Sequence, residues 1–316
     1  MANWKQTRRT LRRPFETGLF MATKALVPLL PRRAIVGLAK ALGHLGMVLP
    51  IREKSIGMKN LDAVFGNTKS VREKRRILAS SFATFSQTML DVLWFSVNPE
   101  KRIGEYVEFK NGPLKDRFLE DRPLICITAH MGSWELMGQT CALLGADLAS
   151  IAAPIKNKMV DRLLIGMRER TGQTIIPRKG ALRALIARLR KNGKAAFVLD
   201  QNTSPENGGI KVDFLGLPMM VSSAPAALAY RTGTEIMLGF CRPCPGGKYL
   251  IEIACCIQPP PFDKAEDPDN MALELTRLIE DNVSEQIRKY PEYWLWSYKH
   301  WRRYEGNTYP SNYPHY

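Results

Sequence analysis

The stretch Leu124-Ile125-Cys126-Ile127-Thr128-Ala129-His130-Met131-Gly132-Ser133-Trp134-Glu135 changes character part-way along. After Pro123 comes an unbroken apolar run, too short for a helix and without the alternation of a half-exposed strand. It reads as a strand buried on both faces and ending at His130. Met131-Gly132-Ser133 supplies a turn, and Trp134 to Leu144 continues as a helix with Ser133 at its N-cap. A histidine therefore leaves a buried strand where the chain reverses into a helix.

The same rhythm repeats downstream. Leu148 to Ala153 reads as a strand, Asn157 to Arg170 as a helix, and Thr174 to Ile176 as a short strand. A helix over Ala181 to Lys191 stops at Asn192-Gly193, and a strand over Ala195 to Leu199 runs into Asp200-Gln201. Strands alternating with helices predict an α/β fold: a mixed, largely parallel sheet flanked by helices, with a ligand crevice at the carboxyl ends of the strands. Further on, Lys211 to Leu215, Ile236 to Cys241 and Tyr249 to Ile257 read as strands, the last two as a hairpin around Pro245-Gly246-Gly247. Asn270 to Tyr290 is an amphipathic helix, and the tail Pro291 to Trp301 is dense in Tyr and Trp, suited to packing and to anchoring at a headgroup boundary. Upstream, Val71 to Phe95 carries apolar residues at helical intervals, as one long helix or a helix pair.

The 316 residues carry 46 Lys and Arg against 30 Asp and Glu, a formal charge of +16 that favours acidic partners. No nucleic-acid-binding motif accompanies this charge, so nucleic acid is not expected. Residues 1–40 hold nine of the cations (Lys5, Arg8, Arg9, Arg12, Arg13, Lys24, Arg32, Arg33 and Lys40) against the single acid Glu16. Pro14 to Pro31 is mostly apolar but interrupted by Glu16, Lys24 and Pro28, short of the roughly 20 clean residues of a membrane span. It suits a helix lying in the headgroup region, with Phe15, Leu19, Phe20, Leu26, Leu29 and Leu30 inserted. We therefore expect a membrane-associating helical segment over residues 1–50 and a catalytic domain over 51–316. A second basic cluster, from Lys156 to Lys194, lies mid-chain. The six cysteines do not form a secreted disulfide framework, and Cys241-Arg-Pro-Cys244 with Cys255-Cys256 has adjacent would-be ligands and no nearby His, so no metal is expected.

The chemistry concentrates at the strand end. Glu135, five residues beyond His130 across the turn, can curl back to fix the imidazole tautomer and stabilise the charged ring. An acid in the first turn of a helix also has a purely structural use. Asp200 ends a strand that can lie beside the His130 strand, so it is an alternative partner for His130. Gln201 follows as a positioning residue. His300, in the aromatic tail, reads as structural.

Four ordered segments resemble one family. Lys59-Asn60-Leu61-Asp62-Ala63-Val64-Phe65, the His130-Met131-Gly132-Ser133-Trp134-Glu135 centre, Val198-Leu199-Asp200-Gln201 with Gly209 to Gly216, and Pro291 to Trp296 with Trp301-Arg302-Arg303 together resemble the late lipid A acyltransferases. These are bacterial enzymes of lauroyl and myristoyl transfer, similar to glycerophosphate acyltransferases, with a His-x4-Asp or His-x4-Glu motif. The resemblance implies a glycerophosphate acyltransferase-like fold and acyl transfer from acyl carrier protein, or coenzyme A, to a hydroxyl of a lipid A precursor in lipopolysaccharide biosynthesis. It implies His130 as general base with no acyl-enzyme and no cofactor beyond that co-substrate, partners that include acyl carrier protein and anionic lipid, and a place at the cytoplasmic face of the inner membrane, interfacial or single-pass. One departure stands out. The family often carries Arg-Pro before an Asn-containing segment, whereas this chain reads Ala153-Pro154-Ile155-Lys156-Asn157. Lys156, Arg162 and Arg178 are the candidates for the missing anion-binding role, and another lipid hydroxyl is the alternative acceptor.

Overall fold

The computed structural model describes residues 14, 16–178, 180–263, 267–302 and 312–316. The expected basic residues Lys5 to Arg13 and the insertion residue Phe15 lie outside them.

The strand read at the centre of the sequence is the centre of the sheet. β1 (Val107–Phe109), β2 (Leu124–Thr128), β3 (Leu148–Ala152), β4 (Thr174–Pro177), β5 (Lys194–Val198), β8 (Ile236–Cys244) and β9 (Lys248–Ile257) form one seven-stranded sheet in the order β1-β9-β8-β2-β5-β3-β4. Every pairing is parallel except the β8–β9 hairpin. Flanked by β8 and β5, β2 is buried at every position, which is why its sequence does not alternate. Its side chains still alternate in destination: Ile125 and Ile127 enter one hydrophobic core, Leu124 and Cys126 the other, on opposite sheet faces.

The strand expected at Lys211 to Leu215 does not join this sheet. It forms β6 (Gly209–Phe214), paired only with β7 (Leu217–Ser222) as a separate antiparallel hairpin. The two-residue loop Leu215-Gly216 has φ of 57° and 86°, the double positive φ of a tight hairpin turn that Asn-Gly usually supplies. Leu215 is held there by a hydrogen bond from its N–H to Ser284 Oγ, 3.1 Å. The three-residue β1 and the whole of β7 had no counterpart in the sequence reading.

The helices are α1 (Arg32–Val48), α2 (Arg52–Phe65), α3 (Val71–Trp94), α4 (Pro99–Tyr106), α5 (Pro113–Leu119), α6 (Trp134–Leu143), α7 (Lys158–Glu169), α8 (Ala181–Leu189), α9 (Ala224–Thr232) and α10 (Pro268–Lys289). Val71 to Phe95 is thus a single helix, α3, about 36 Å long at 1.5 Å per residue. It starts at a full capping box, Ser70 and Glu73 each bonding the other's backbone N–H. Arg32, at the start of α1, is buried against α3: it pairs with Asp91, whose other oxygen accepts from Tyr249 Oη at 2.5 Å, and its Nε donates to Gly247 O at 2.9 Å. Trp94, Phe95, Tyr106 and Tyr249 surround the guanidinium at 5.1–5.7 Å. An ion pair this buried is costly to break from either side, so α1 is pinned in register on α3 and the β8–β9 hairpin.

No single helix among the described residues is long and apolar enough to cross a membrane; Arg32–Val48 and Arg52–Thr68 reach that composition only as a pair bent by 85°. Instead Leu19, Leu26, Leu29 and Leu30 are exposed, as are Leu38, Leu42 and Leu45 of α1, while Phe20 packs against the core.

Candidate active site

Beyond β2 the chain makes a turn that only glycine can make. Gly132 has φ +61°, and a Cβ there would lie 2.0 Å from the carbonyl oxygen of Cys241 on β8. The turn is bonded on all sides: Gly132 N–H to Tyr293 O (2.9 Å), Ser133 N–H to Cys241 O (2.7 Å), Leu295 N–H to His130 O (3.1 Å) and Thr88 Oγ1 of α3 to Gly132 O (2.9 Å). Gly132→Ala is expected to lose soluble folded protein or all activity, since backbone strain of about 1–3 kcal/mol adds to a clash with a fixed carbonyl. A melting temperature and rate equal to wild type would contradict this geometry. Ser133 holds the N-cap position of α6 but does not cap it. Its φ of −108° and ψ of 75° are set by the bond to β8, and its hydroxyl is buried without a partner.

The open question of the imidazole's partner has a clear geometric answer. His130 Nδ1 lies 2.6 Å from Asp200 Oδ1, and Asp200 Oδ2 accepts from the His130 backbone N–H at 2.9 Å and from Trp294 Nε1 at 2.8 Å. The parallel pairing of β2 with β5 delivers the two residues side by side just past the strand ends. Glu135 does not curl back. It takes a two-point ion pair from Arg168 of α7, at 2.8 and 2.6 Å, because the first turn of α6 points it across the cavity instead of back over Gly132.

The electrostatics follow. Burial alone would raise the Asp200 pKa, but the charge and hydrogen bond of His130, with His300 and Trp294, hold it below the ordinary value. For His130, burial opposes the charged ring, yet the charge and hydrogen bond of Asp200 and the charge of Glu135 outweigh it and raise the pKa. The ionised carboxylate keeps the proton of the neutral ring on Nδ1, leaving the Nε2 lone pair toward the cavity. Gln201 Nε2 sits 3.3 Å from that atom. Trp134 meets the ring edge-on with centroids 4.8 Å apart.

The aromatic tail turns out to be a brace. Trp294, Trp296 and Trp301 are at most 1% exposed, so packing, and not headgroup anchoring, is their work. Trp294 stacks on His300, whose Nδ1 contacts Asp200 O at 2.8 Å. Asn60 of α2 donates to Trp296 O and Tyr298 O at 2.7 and 2.8 Å. Sequence segments far apart in the chain thus converge behind one carboxylate.

A cavity of about 760 Å³ opens at His130. One arm runs along the sheet under α6, between Cys126, Met137, Cys141, Met237 and Ile251, to Phe109 and Phe118. Lys194, the first residue of β5, lies over the Phe118 ring at 5.6 Å, which places Phe118 at the opposite end of the strands from His130. The mouth carries Arg178, Arg302 and Gln201 with the exposed apolar residues Ile155, Leu182 and Val198. Lys156 and Arg162 are exposed and stand outside the cavity wall. The places of Arg168, Arg302, Thr128 and Asn202 in the cavity wall were not read from sequence. Thr128 Oγ1 and both Asn202 amide atoms are buried there without partners.

The model of the bacterial lipid A biosynthesis acyltransferases matches residues 4–303. The chain belongs to this family. A lipid A biosynthesis acyltransferase of Haemophilus influenzae is 21% identical over 280 residues, 88% of this chain and 83% of that one. Phosphatidylinositol mannoside acyltransferases of Mycobacterium tuberculosis strains CDC 1551 and H37Rv are each 27% identical over 116 residues, 35% of this chain and 36% of theirs. Membership of the lipid A acyltransferase family makes the chain an acyl-transfer protein.

Proposed function

We propose that this protein transfers a fatty acyl chain from an acyl carrier protein thioester to a hydroxyl of a lipid A precursor, with His130 as general base. The observation that carries this reading is the cavity itself, in which a carboxylate-bound imidazole opens directly onto a long apolar arm. The acceptor hydroxyl gives its proton to His130 Nε2 while its oxygen attacks the thioester carbonyl. Collapse of the tetrahedral intermediate breaks the carbon–sulfur bond, and the imidazolium returns the proton to the departing thiolate. Asp200 orients and charge-stabilises the ring. Glu135 fixes Arg168, whose guanidinium lines the cavity as a donor for developing negative charge. Arg178 and Gln201 at the mouth suit contact with the acceptor. The exposed basic residues Lys156 and Arg162 suit an acidic carrier.

Membrane contact is supported by placement. Asn157, beside the cavity rim, donates to Thr17 Oγ1 at 3.0 Å, so the N-terminal helical run with its exposed leucines adjoins the mouth. Laid on the cytoplasmic face of the inner membrane, that surface would let a lipid acceptor enter without crossing water.

The second reading keeps the chemistry and changes the acceptor to a glycolipid such as a mannosylated inositol lipid. The match to phosphatidylinositol mannoside acyltransferases and the Ala153-Pro154 departure favour it. Purified protein given labelled acyl carrier protein and either lipid class decides between them, and mass spectrometry of lipid A after gene deletion tests the first in the cell. An unchanged acylation pattern would remove the lipid A reading. In the same assay Phe118→Ala is expected to shift preference toward longer donors, palmitoyl over lauroyl, by about ten-fold, because two or more methylenes gain burial at ~0.8 kcal/mol each. An unshifted preference would mean that the chain does not reach Phe118.

A further inference from the structure

The residues that follow β5 do two things to one ring. Asp200 holds Nδ1 of His130 at 2.6 Å, and the next residue, Gln201, brings its amide nitrogen to 3.3 Å from Nε2. With the ring proton committed to Asp200, Nε2 has a single in-plane lone pair, and one donor satisfies it. The proton of an acceptor hydroxyl needs that same lone pair. The base is therefore occupied by the protein's own amide.

We propose that Gln201 is a positioning residue that caps the general base until an acceptor arrives: its amide donates to Nε2, keeps water off that atom, and is displaced by the acceptor hydroxyl. The need for a cap follows from the chemistry. An acyl thioester next to an uncapped imidazole would be hydrolysed: water gives a proton to Nε2 while its oxygen attacks the carbonyl, the carbon–sulfur bond breaks, free fatty acid forms, and the imidazolium protonates the thiolate. Transfer and hydrolysis differ only in which hydroxyl reaches the lone pair. A hydroxyl held by the rest of an acceptor lipid can displace a hydrogen bond of about 1 kcal/mol net, whereas a single water gains little by doing so.

The displaced amide has room to move, because Gln201 lines the same cavity of about 760 Å³ as His130. The ring itself need not move, because Trp134 and Asp200 hold it on the other sides.

The proposal rests on His130 being the base of an acyl transfer, and its test separates the two. Full-length protein and the variants Gln201→Leu and Gln201→Asn are given acyl carrier protein thioester without acceptor, and free thiol is followed. Leu removes the donor; Asn keeps an amide but withdraws it by one methylene, and covers the case in which Leu disturbs packing. Both variants are expected to hydrolyse donor about five- to ten-fold faster than wild type, the factor that corresponds to losing one such hydrogen bond. The transfer-to-hydrolysis ratio with acceptor present should fall by as much. In parallel, modification of His130 by diethyl pyrocarbonate, which needs a free imidazole lone pair and no turnover, should accelerate by a similar factor. Hydrolysis and modification rates equal to wild type in both variants would overturn the cap. Accelerated modification with no acyl transfer or hydrolysis by any form would retain the cap and overturn the acyltransferase reading.

Discussion

His130→Ala should lower acyl transfer by about 10²- to 10⁴-fold, the span of a lost general base, while the protein keeps its fold. The side chain is 20% exposed at a cavity wall, so its removal opens space already shared with solvent. Asp200 would keep two of its donors, the His130 backbone N–H and Trp294 Nε1, so the carboxylate is not stranded and the stability cost is about 1–3 kcal/mol. Initial rates in lipid micelles, read beside a thermal melt, check both halves. A rate within a few-fold of wild type in a folded variant would remove the imidazole from the mechanism.

Asp200→Asn should cost as much, about 10⁴-fold, for a reason specific to this site. The carboxylate receives three donors on two oxygens: His130 Nδ1 on one, and the His130 N–H with Trp294 Nε1 on the other. An amide has one acceptor end. Turned one way, its NH2 meets the backbone and indole donors; turned the other, it meets Nδ1 and drives the ring proton to Nε2, where the base must be free. The pH profile supplies an independent readout. In wild type the neutral base predominates only above a pKa that Asp200 and Glu135 raise over the usual histidine value, so the acid limb of kcat/KM lies above about 6.5. Removing the Asp200 charge should move that limb to lower pH. An unmoved limb would show that the titrating group is not His130. The same shifts bear on stability. The raised His130 pKa contributes stability below the unfolded value that is lost as pH rises through the folded one. The depressed Asp200 pKa contributes stability above its unfolded value that is lost as pH falls through the folded one.

Much of the fold could be read because a central parallel strand has nowhere to hide its composition. Leu124–Thr128, Leu148–Ala152 and Lys194–Val198 emerge close to their expected bounds, and the apolar run ending at His130 located the strand end from the pattern alone. What stayed illegible depended on contacts between distant residues. The β6–β7 hairpin turns on Leu215-Gly216, which carries no Asn-Gly signal and is stabilised by Ser284 on α10. The partner of His130 depended on which strands neighbour which, so Glu135 and Asp200 could not be ranked until β5 was found beside β2. Arg168 looked like one more cation in a basic cluster. Its distinction is the carboxylate opposite it, 33 residues away in sequence.

The tail that braces Asp200 also fixes when the site comes into being. Trp294 bonds the carboxylate, His300 bonds its backbone, and Leu295 bonds the carbonyl of His130 itself. On the ribosome the chain emerges from the N-terminus and its parts fold as they appear. The sheet can be paired while the His130–Asp200 couple is still unsupported, waiting for Trp294 and His300. The His130–Asp200 couple is thus fully braced only once residues 294–300 have packed behind it.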